Sequence, residues 1–249
     1  MLTLLFLYTH CLIYGQFISV IKEVMIHPAT ERRFVSDEVG HGVFATQFIP
    51  KGTIVWTLSS LDTRFTPEEV ADMPADFYPF MEIYPYIDRN GDFILGCDID
   101  IYCNHSCDPP LHNIGSTDVA IAIRNIQANE EITYDYATNN IIHDLYNCRC
   151  GAKDCRGTIS SSDLLAYSAQ WESKVKNILP FVRQVEQPLY QYIIEKQEFD
   201  NIIDSIIPVP PYTDFLCPPE VVHKLKVMLG IAINSQIKEK IPYSALQEP

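Results

Sequence analysis

Basic residues are scarce in this sequence. Its 249 residues include 18 lysines and arginines against 32 aspartates and glutamates, and the formal net charge is −14 at pH 7. Nonspecific nucleic-acid binding depends on lysine and arginine to neutralise phosphates, so we expect no direct nucleic-acid binding. The acidic balance favours a cationic partner instead, because opposite fields steer an encounter. Solubility alone is the other explanation of this charge.

The sequence also lacks internal repeats and low-complexity tracts, and its apolar content of 47% argues against disorder. The length allows one large domain, or one domain with an appendage. Before residue 160, numerous short strands separated by turn signals predict a mainly β architecture rather than alternating strands and helices. From residue 160 the pattern is helical. We expect this region to pack on the β domain or to mediate dimerisation, and the oligomeric state stays open.

The N-terminal segment, residues 1–25, is apolar but lacks the marks of a secretion signal. The first lysine is Lys22, so no charged stretch precedes the apolar run, and no clear small-x-small cleavage site is present. Three interpretations stay open. The segment is a membrane anchor, with membrane contact through residues 1–24, a signal peptide, or an extension that packs on the protein or precedes a natural start at Met25.

An acidic stretch covers residues 61–100, where ten acids face two arginines. Within it, Thr66 followed by Pro67 and two glutamates predicts a helix start, because Thr caps, Pro suits the first turn and acids favour the positive helix end. Residues 88–91 predict a hairpin turn between strands at 84–87 and 93–95. The acids either suit a basic peptide or only solvate a surface.

Other local patterns predict further elements. Residues 49–53 form a Pro-Gly turn that we expect to join strands 43–46 and 54–58 into a hairpin. Residues 118–124 predict a buried strand, and 131–134 its returning partner after a turn. In the C-terminal region we expect a helix from Asp163 that ends at Pro180, a second over 181–197 that is kinked at Pro188, an extended linker over 208–211, and a third helix over 220–236.

Three of the eight cysteines, Cys148, Cys150 and Cys155, form a C-x-C-x4-C cluster. Cysteines two apart on one strand do not easily meet disulfide geometry. Clustered thiols more often hold zinc, which indicates an intracellular, reducing compartment, either nuclear or cytoplasmic, with a membrane-anchored form not excluded. A structural zinc needs four ligands, and no fourth cysteine or histidine lies at short spacing.

Three further motifs precede this cluster. Gly40 and Gly42 flank one residue, so the backbone there can turn tightly and approach a ligand. Residues 104–107 read Asn-His-Ser-Cys. Tyr134 and Tyr136 alternate on a predicted strand, so both side chains point to one face. In this order, the four motifs resemble the SET-domain protein lysine methyltransferases that carry a post-SET zinc motif, and the resemblance covers residues 33–157.

The resemblance implies a SET fold, which is β-clip-like and pseudoknotted because the last strand threads beneath the Asn-His loop. It places a SET domain over residues 26–145, a zinc-binding post-SET segment over 146–159 and an α-helical region over 160–249. It also supplies the fourth zinc ligand, Cys107, beside the three clustered cysteines. Metal binding would then close a long loop and contribute folding energy.

The resemblance further implies transfer of a methyl group from S-adenosylmethionine (SAM) to the ε-amine of a lysine in a basic protein or peptide, for which a histone tail is one candidate. Tyr136 inherits the catalytic role, and Tyr134 lies in the lysine channel, where a tyrosine tends to accompany monomethylation. The SAM-binding positions are Gly40, His41, Gly42, Asn104, His105, Tyr136 and Arg149.

Two departures from the family pattern stand out. His41 lies where an arginine is commoner, and residues 100–103 read Asp-Ile-Tyr-Cys where the family often has Ala-Arg-Phe-Ile. The missing arginine puts the local ion pairs in doubt. An alternative function therefore remains, in which the chain is a catalytically inactive, zinc-stapled SET module that acts in protein–protein interaction.

Overall fold

The computed structural model describes residues 25–141 and 145–228. The apolar segment 1–24 and the end of the third predicted C-terminal helix lie outside the described residues. Within the described ranges, no helix combines the length and the apolar character that are needed to cross a bilayer.

The described residues form short strands and a few helices, as the sequence predicts. The strands are β1 Thr30–Ser36, β2 Gly40–Ala45, β3 Ile54–Thr57, β4 Thr63–Phe65, β5 Tyr86–Ile87, β6 Phe93–Leu95, β7 Leu111–Asn113, β8 Val119–Ala122, β9 Glu131–Ile132, β10 Leu145–Tyr146 and β11 Thr158–Ile159. The α-helices are α1 Pro67–Ala71, α2 Tyr78–Ile83, α3 Asp163–Val182, α4 Lys196–Ile203 and α5 Pro219–Met228. The mainly β architecture with added helices is confirmed.

The strands pair antiparallel in small sheets. Three sheets have three strands each, in the orders β1-β2-β9, β3-β8-β7 and β4-β6-β5, and β10 pairs with β11. The third sheet and helices α1 and α2 make up the acidic stretch. Because the sheets are small, most of their burial comes from packing against each other and against the helical region.

Two local predictions in the acidic stretch are confirmed. Thr66 caps α1 with a capping box, in which its side chain and that of Glu69 each bond the other residue's backbone amide. The hairpin between β5 and β6 turns at Gly91, whose φ of +89° lies in the region that glycine adopts without strain. The Asp88 carboxylate closes this turn by accepting from the amides of Asn90 and Asp92.

Two predicted strand pairings are wrong. β2 pairs with β1 and β9, whereas β3 pairs with β8, so the turn at 49–53 carries the chain between two sheets instead of closing a hairpin. The strand after the turn at 128–129 likewise pairs with β2 and not with β8, and it ends at Ile132. The predicted strand through Tyr134 and Tyr136 is therefore wrong, because Tyr134 forms only an isolated bridge and Tyr136 begins a 3₁₀ turn at Tyr136–Thr138. Ile49 and Ile126 form a bridge where the chain passes between the sheets. Turn signals fix where a chain bends, but they do not fix the strand with which it then pairs.

Two helix predictions also differ from the structure. α3 continues past Pro180 to Val182, since a proline near the end of a helix removes one hydrogen bond while Leu179 and Val182 gain burial. The predicted helix over 181–197 is absent from the described residues there, apart from a 3₁₀ turn at Tyr190–Tyr192. Gln187 holds this segment to the β domain, because it accepts from Ile54 N and donates to Gly52 O.

The helical region packs on the β domain, which is one of the two roles predicted for it. The largest apolar cluster joins β3 and β8 to α3, α4 and the segment between them, with Ile54, Ile121, Val175, Leu189 and Ile202 buried together. A second cluster joins the acidic stretch to α5 through Val70, Phe93 and Leu225. The segment at 208–211 lies between α4 and α5 without helix or strand, and Pro211 is extended, with φ −61° and ψ 144°.

Candidate active site and metal centre

The Asn-His and Tyr-x-Tyr motifs lie side by side. His105 forms a parallel bridge with Tyr134, in which Tyr134 N donates to Asn104 O at 2.9 Å and Ser106 N donates to Tyr134 O at 3.0 Å. These backbone hydrogen bonds therefore fix residues 104–106 beside Tyr134, about thirty residues further along the sequence. This pairing lies where the pseudoknot was predicted.

The glycine turn is tied to the same place by the side chain of Asn104. Its Nδ2 donates to His41 O at 3.0 Å and to Glu131 Oε1 at 2.7 Å. Gly40 has a φ of +77°, which favours glycine. A Cβ on Gly42 would clash with Glu131 Oε1 and lie 2.9 Å from Asn104 Nδ2. The hydrogen bond between Asn104 and Glu131 therefore requires a glycine at position 42.

His41, the departure between the glycines, packs in an aromatic cluster. Its ring lies edge-on to Phe34 at 5.7 Å and to Tyr102 at 5.8 Å between ring centroids. Arg32 lies over the Tyr102 ring at 5.0 Å and donates to its hydroxyl at 3.1 Å. An arginine of β1 therefore packs in the aromatic cluster around His41, although the residue between the two glycines is a histidine.

Tyr136 is anchored at both its backbone and its hydroxyl. Its hydroxyl donates to Cys103 O at 3.0 Å, and its amide donates to His105 Nδ1 at 3.2 Å. The two rings lie 5.3 Å apart. Burial lowers the pKa of His105 to about 4, and the nearby charge of Arg156 acts in the same direction. The imidazole is therefore neutral at pH 7, and its Nδ1 acts as an acceptor.

Tyr134 and Tyr136 line a cavity of about 520 Å³. The Tyr134 hydroxyl donates to Asn139 Oδ1 at 3.4 Å, and burial raises the pKa of Tyr134, so the phenol stays protonated. Much of the remaining wall is aromatic and comes from the β sheets, the acidic stretch and the C-terminal region: Trp56, Tyr84, Tyr86 and Phe215.

The predicted zinc ligands converge, with one difference. Ligand atoms of Cys107, Cys148, Cys150 and His105 lie within 4.8 Å of one another. Cys107 Sγ is 3.9 Å from Cys148 Sγ, across 41 residues of sequence, and Cys107 N donates to Cys150 Sγ at 3.4 Å. Cys155 lies at the edge of this group, with its thiol 3.5 Å from Cys148 O.

The tautomer of His105 decides whether this histidine can be the fourth zinc ligand. Because Nδ1 accepts from Tyr136 N, the proton of the neutral ring lies on Nε2, which is 3.3 Å from Cys107 Sγ. An Nε2–H group donates to the Cys107 sulfur and is not a metal ligand. Burial raises the pKa of Cys150, but amides of Cys107 and Ala152 and neighbouring thiols lower it to about 7. A thiolate is therefore accessible near neutral pH, as zinc binding requires.

An ion pair that the sequence analysis missed joins the Tyr-x-Tyr motif to the cysteine cluster. The Asp135 side chain is fully buried, and Arg156 NH2 donates to its Oδ1 at 2.5 Å. The amide of Arg156 donates to Cys107 Sγ at 3.5 Å, and its Nε lies 3.3 Å from Asp163. Burial raises the pKa of Asp135 and the Arg156 contact opposes that rise. An aspartate between two predicted channel tyrosines was the signal that could have revealed this pair.

Arg149 lies at the surface, beside the turn that precedes Gly40. Its side chain is 80% exposed, and its guanidinium lies 3.7 Å from Glu38 in the turn before Gly40. Glu131, in contrast, was not predicted and contacts Asn104 directly. Its position just before the Tyr-x-Tyr motif gave no pattern by which to find it.

These elements define the class of the protein. Residues 40–137 match the SET domain family model, and this range contains the glycine turn, the Asn-His bridge and both tyrosines. Residues 40–137 therefore form a SET domain.

The relatives with known names are methyltransferases. The chain is 33% identical over 131 residues to human histone-lysine N-methyltransferase 2B, which covers 47% of this chain and 5% of the relative. It is 26% identical over 135 residues to an H3 lysine-36 specific histone-lysine N-methyltransferase of Cryptococcus neoformans. This match covers 50% of this chain and 16% of the relative. Methyltransferase flvH of Aspergillus flavus is 34% identical over 65 residues, and this match covers 25% of this chain and 36% of the relative. The chain thus spans a small part of the length of these relatives.

Two solved structures are also similar. One is KRYPTONITE in complex with mCHG DNA and SAH, with 25% identity, a TM-score of 0.38, and coverage of 52% of this chain and 28% of that chain. The other is the methyltransferase domain of human SETMAR, with 21% identity, a TM-score of 0.39, and coverage of 56% and 60%.

Proposed function

We propose that this chain transfers a methyl group from SAM to the ε-amine of a lysine in a protein substrate. The observation that carries the proposal is the position of Asn104. Its side chain bonds the turn between Gly40 and Gly42, while its backbone pairs with Tyr134. The three motifs that the family uses for cofactor and lysine therefore meet at one point.

The residues around the glycine turn fit a cofactor bound through the main chain. Gly40 and Gly42 carry no side chain, so the backbone of this buried turn packs closely against its neighbours, and Asn104 holds the carbonyl of His41 in place. When bound, SAM supplies a methyl group on a cationic sulfonium. The cysteine cluster fits zinc, which would hold the post-SET segment against the Asn-His loop through Cys107, Cys148, Cys150 and Cys155.

Residues that line the cavity would favour the neutral form of the target lysine and orient its amine. A free lysine has a pKa near 10.4, so deprotonation at pH 7 costs about 4.6 kcal/mol. The largely apolar, aromatic cavity lowers this cost, because burial disfavours the ammonium form. Tyr136, fixed through Cys103 and His105, would orient the amine for in-line attack. The hydroxyl of Tyr134 would retain a water where further methyl groups would go, which favours monomethylation.

The substrate we propose is a basic segment, with a histone tail as one candidate, since the named relatives include histone-lysine methyltransferases and this chain carries a net charge of −14. Free thiols in the cluster agree with a reducing, nuclear or cytoplasmic location.

Calorimetry with SAM and a Tyr136→Phe variant together test the function. The wild-type protein is expected to bind SAM and to methylate a lysine peptide. Tyr136→Phe should lose at least about 100-fold in turnover because it loses the orienting hydroxyl. It should still fold, with a loss of about 1 kcal/mol in the free energy of unfolding from the missing bond to Cys103 O. Absence of SAM binding would leave the inactive zinc-stapled module as the function.

Mass spectrometry of the same reactions tests the methylation state. Wild-type enzyme should give mainly monomethyl-lysine, whereas Tyr134→Phe should give dimethyl and trimethyl products because the retained water is lost. A product that stays monomethylated in Tyr134→Phe would show that this hydroxyl does not set the state.

A further inference from the structure

Arg156 is held by α3, the first helix of the C-terminal region. Its Nε lies 3.3 Å from the carboxylate of Asp163, the residue that begins this helix. Its guanidinium also lies over the ring of Tyr167, 5.2 Å from the ring centroid and about one turn further along the helix. Only 10% of the Arg156 side chain is exposed, so α3 both covers and orients the guanidinium.

The same guanidinium reaches the residue between the two tyrosines of the cavity. Its Nη2 donates to Asp135 Oδ1 at 2.5 Å, and this oxygen also accepts from Ala137 N at 3.1 Å. The bond to Ala137 caps the 3₁₀ turn that begins at Tyr136. The carboxylate that receives the arginine therefore also fixes the backbone that carries the Tyr136 ring.

The Asp135 carboxylate depends on Arg156 for compensation of its charge. Its side chain is fully buried, and its Oδ2 has no hydrogen-bond partner among the described residues. A buried carboxylate that loses its cation is costly, because neither water nor another charge replaces the partner. Any movement of the guanidinium therefore favours movement of the carboxylate and of the turn that it caps.

We propose that Asp163 and Tyr167 are positioning residues for methyl transfer, which act through Arg156 and Asp135 on Tyr136. The proposal rests on the proposed function, in which the Tyr136 hydroxyl orients the amine. In-line transfer is sensitive to position, since an error of about 1 Å can cost roughly 100-fold in rate. The helical region therefore completes the active site from outside the SET domain, in addition to packing on it.

Asp163→Asn and Tyr167→Leu test this role from the helix. Both residues lie outside the cavity wall and the cysteine cluster. Asparagine keeps an acceptor for Ser160 N while it loses the charge beside Arg156. With a lysine peptide as substrate, each variant should lower kcat about ten-fold. The KM for the peptide and the Kd for SAM should stay within about two-fold, because the contacts of the glycine turn and the cavity are kept.

Two further variants on α3 serve as controls. Glu172→Gln removes a carboxylate of the same helix that pairs with Lys176, and its kcat should match that of wild type. Asp163→Glu keeps the charge beside Arg156 and should retain kcat within about three-fold. Calorimetry with SAM counts the binding sites per chain, so kcat is expressed per site and partial unfolding is not read as a slower reaction. Should one of the two test variants fail to fold, the other is read in its place.

The outcomes separate this positioning role from the function on which it rests. Unchanged kcat per site in Asp163→Asn and Tyr167→Leu, with an active wild type, overturns the positioning role alone. A loss confined to KM or to the number of SAM sites does so as well. A wild-type protein that methylates no lysine peptide overturns the proposed function, and the positioning role with it.

Discussion

Among single residues outside the site, His112 in β7 has the least usual surroundings. It is fully buried, and neither ring nitrogen has a hydrogen-bond partner among the described residues. Its ring packs 6.0 Å from Trp171 of α3 and 6.4 Å from Tyr212. Burial lowers the pKa of His112 to about 3, and the charges of Lys174 and Arg156 act in the same direction. The residue is therefore a neutral ring at the contact between the β domain and the helical region.

This environment predicts acid sensitivity. Below the unfolded pKa near 6.5, the unfolded chain binds a proton that the folded His112 does not. His112 therefore contributes a loss of stability of up to about 1.4 kcal/mol per pH unit as pH falls from 6.5 towards 3. His112→Leu, of similar size and without polar atoms, should flatten the pH dependence of urea unfolding in this window. Equal slopes in both proteins would contradict it.

At the scale of elements, Asn140 joins the acidic stretch and the C-terminal region to the segment after the Tyr-x-Tyr motif. Its Nδ2 lies within 3.1 Å of the carbonyls of Ile87, Asp88 and Phe215, and its Oδ1 accepts from Cys217 N at 2.8 Å. One buried amide thus fixes β5, the turn after it and the residues that precede α5. Phe215 is held against the cavity by the same bonds.

Asn140→Asp should release this junction. The substitution places a carboxylate oxygen beside three carbonyls, so we expect a loss of about 3 kcal/mol in the free energy of unfolding. Limited proteolysis should also cut earlier within residues 212–228. Asn125→Asp is the control, because the exposed Asn125 acts through its oxygen, which accepts from Lys51 N, and aspartate keeps that acceptor. Equal losses in both variants would argue against the junction.

The helical elements show what local pattern can and cannot predict. The cap at Thr66 was predictable because a capping box is completed within four residues. The end of α3 at Val182 and the non-helical course of 183–195 were not, since they depend on Leu179, Val182 and Gln187 meeting the β domain. At the end of α3, burial against the β domain outweighed the helix-breaking tendency of Pro180. In the segment that follows α3, contacts with the β domain outweighed the helical pattern of the sequence.

For the whole molecule, the cysteine cluster connects the Asn-His loop to the post-SET segment, with 41 residues of sequence between Cys107 and Cys148. Zinc at Cys107, Cys148, Cys150 and Cys155 would hold the post-SET segment against the Asn-His loop, alongside the buried Asp135–Arg156 pair. The ion pair connects the post-SET segment to the Tyr-x-Tyr motif, which lies beside the Asn-His loop. Metal and ion pair should therefore stabilise one interface together.

Chelation tests this arrangement. Removing zinc should speed amide hydrogen exchange within residues 145–159, lower the unfolding temperature and reduce methyl transfer. Elemental analysis should find zinc bound to the wild-type protein and lost from Cys107→Ser and Cys155→Ser. Cys97→Ser, a thiol outside the cluster, should retain it. Full zinc content in Cys155→Ser would assign the fourth position to another residue.

The sequence by itself determined the local chemistry of this protein. Motif order, the glycines, the paired tyrosines and the clustered thiols are visible among near neighbours, and their resemblance to the SET family predicted the SET fold and its mainly β character. Only the tertiary structure decided which strands pair, that Glu131 and Arg156 complete the site, and that Phe215 faces the tyrosines across one cavity. Those contacts join residues tens of positions apart, and burial of a charge or a strand partner is decided by what the whole chain packs around it.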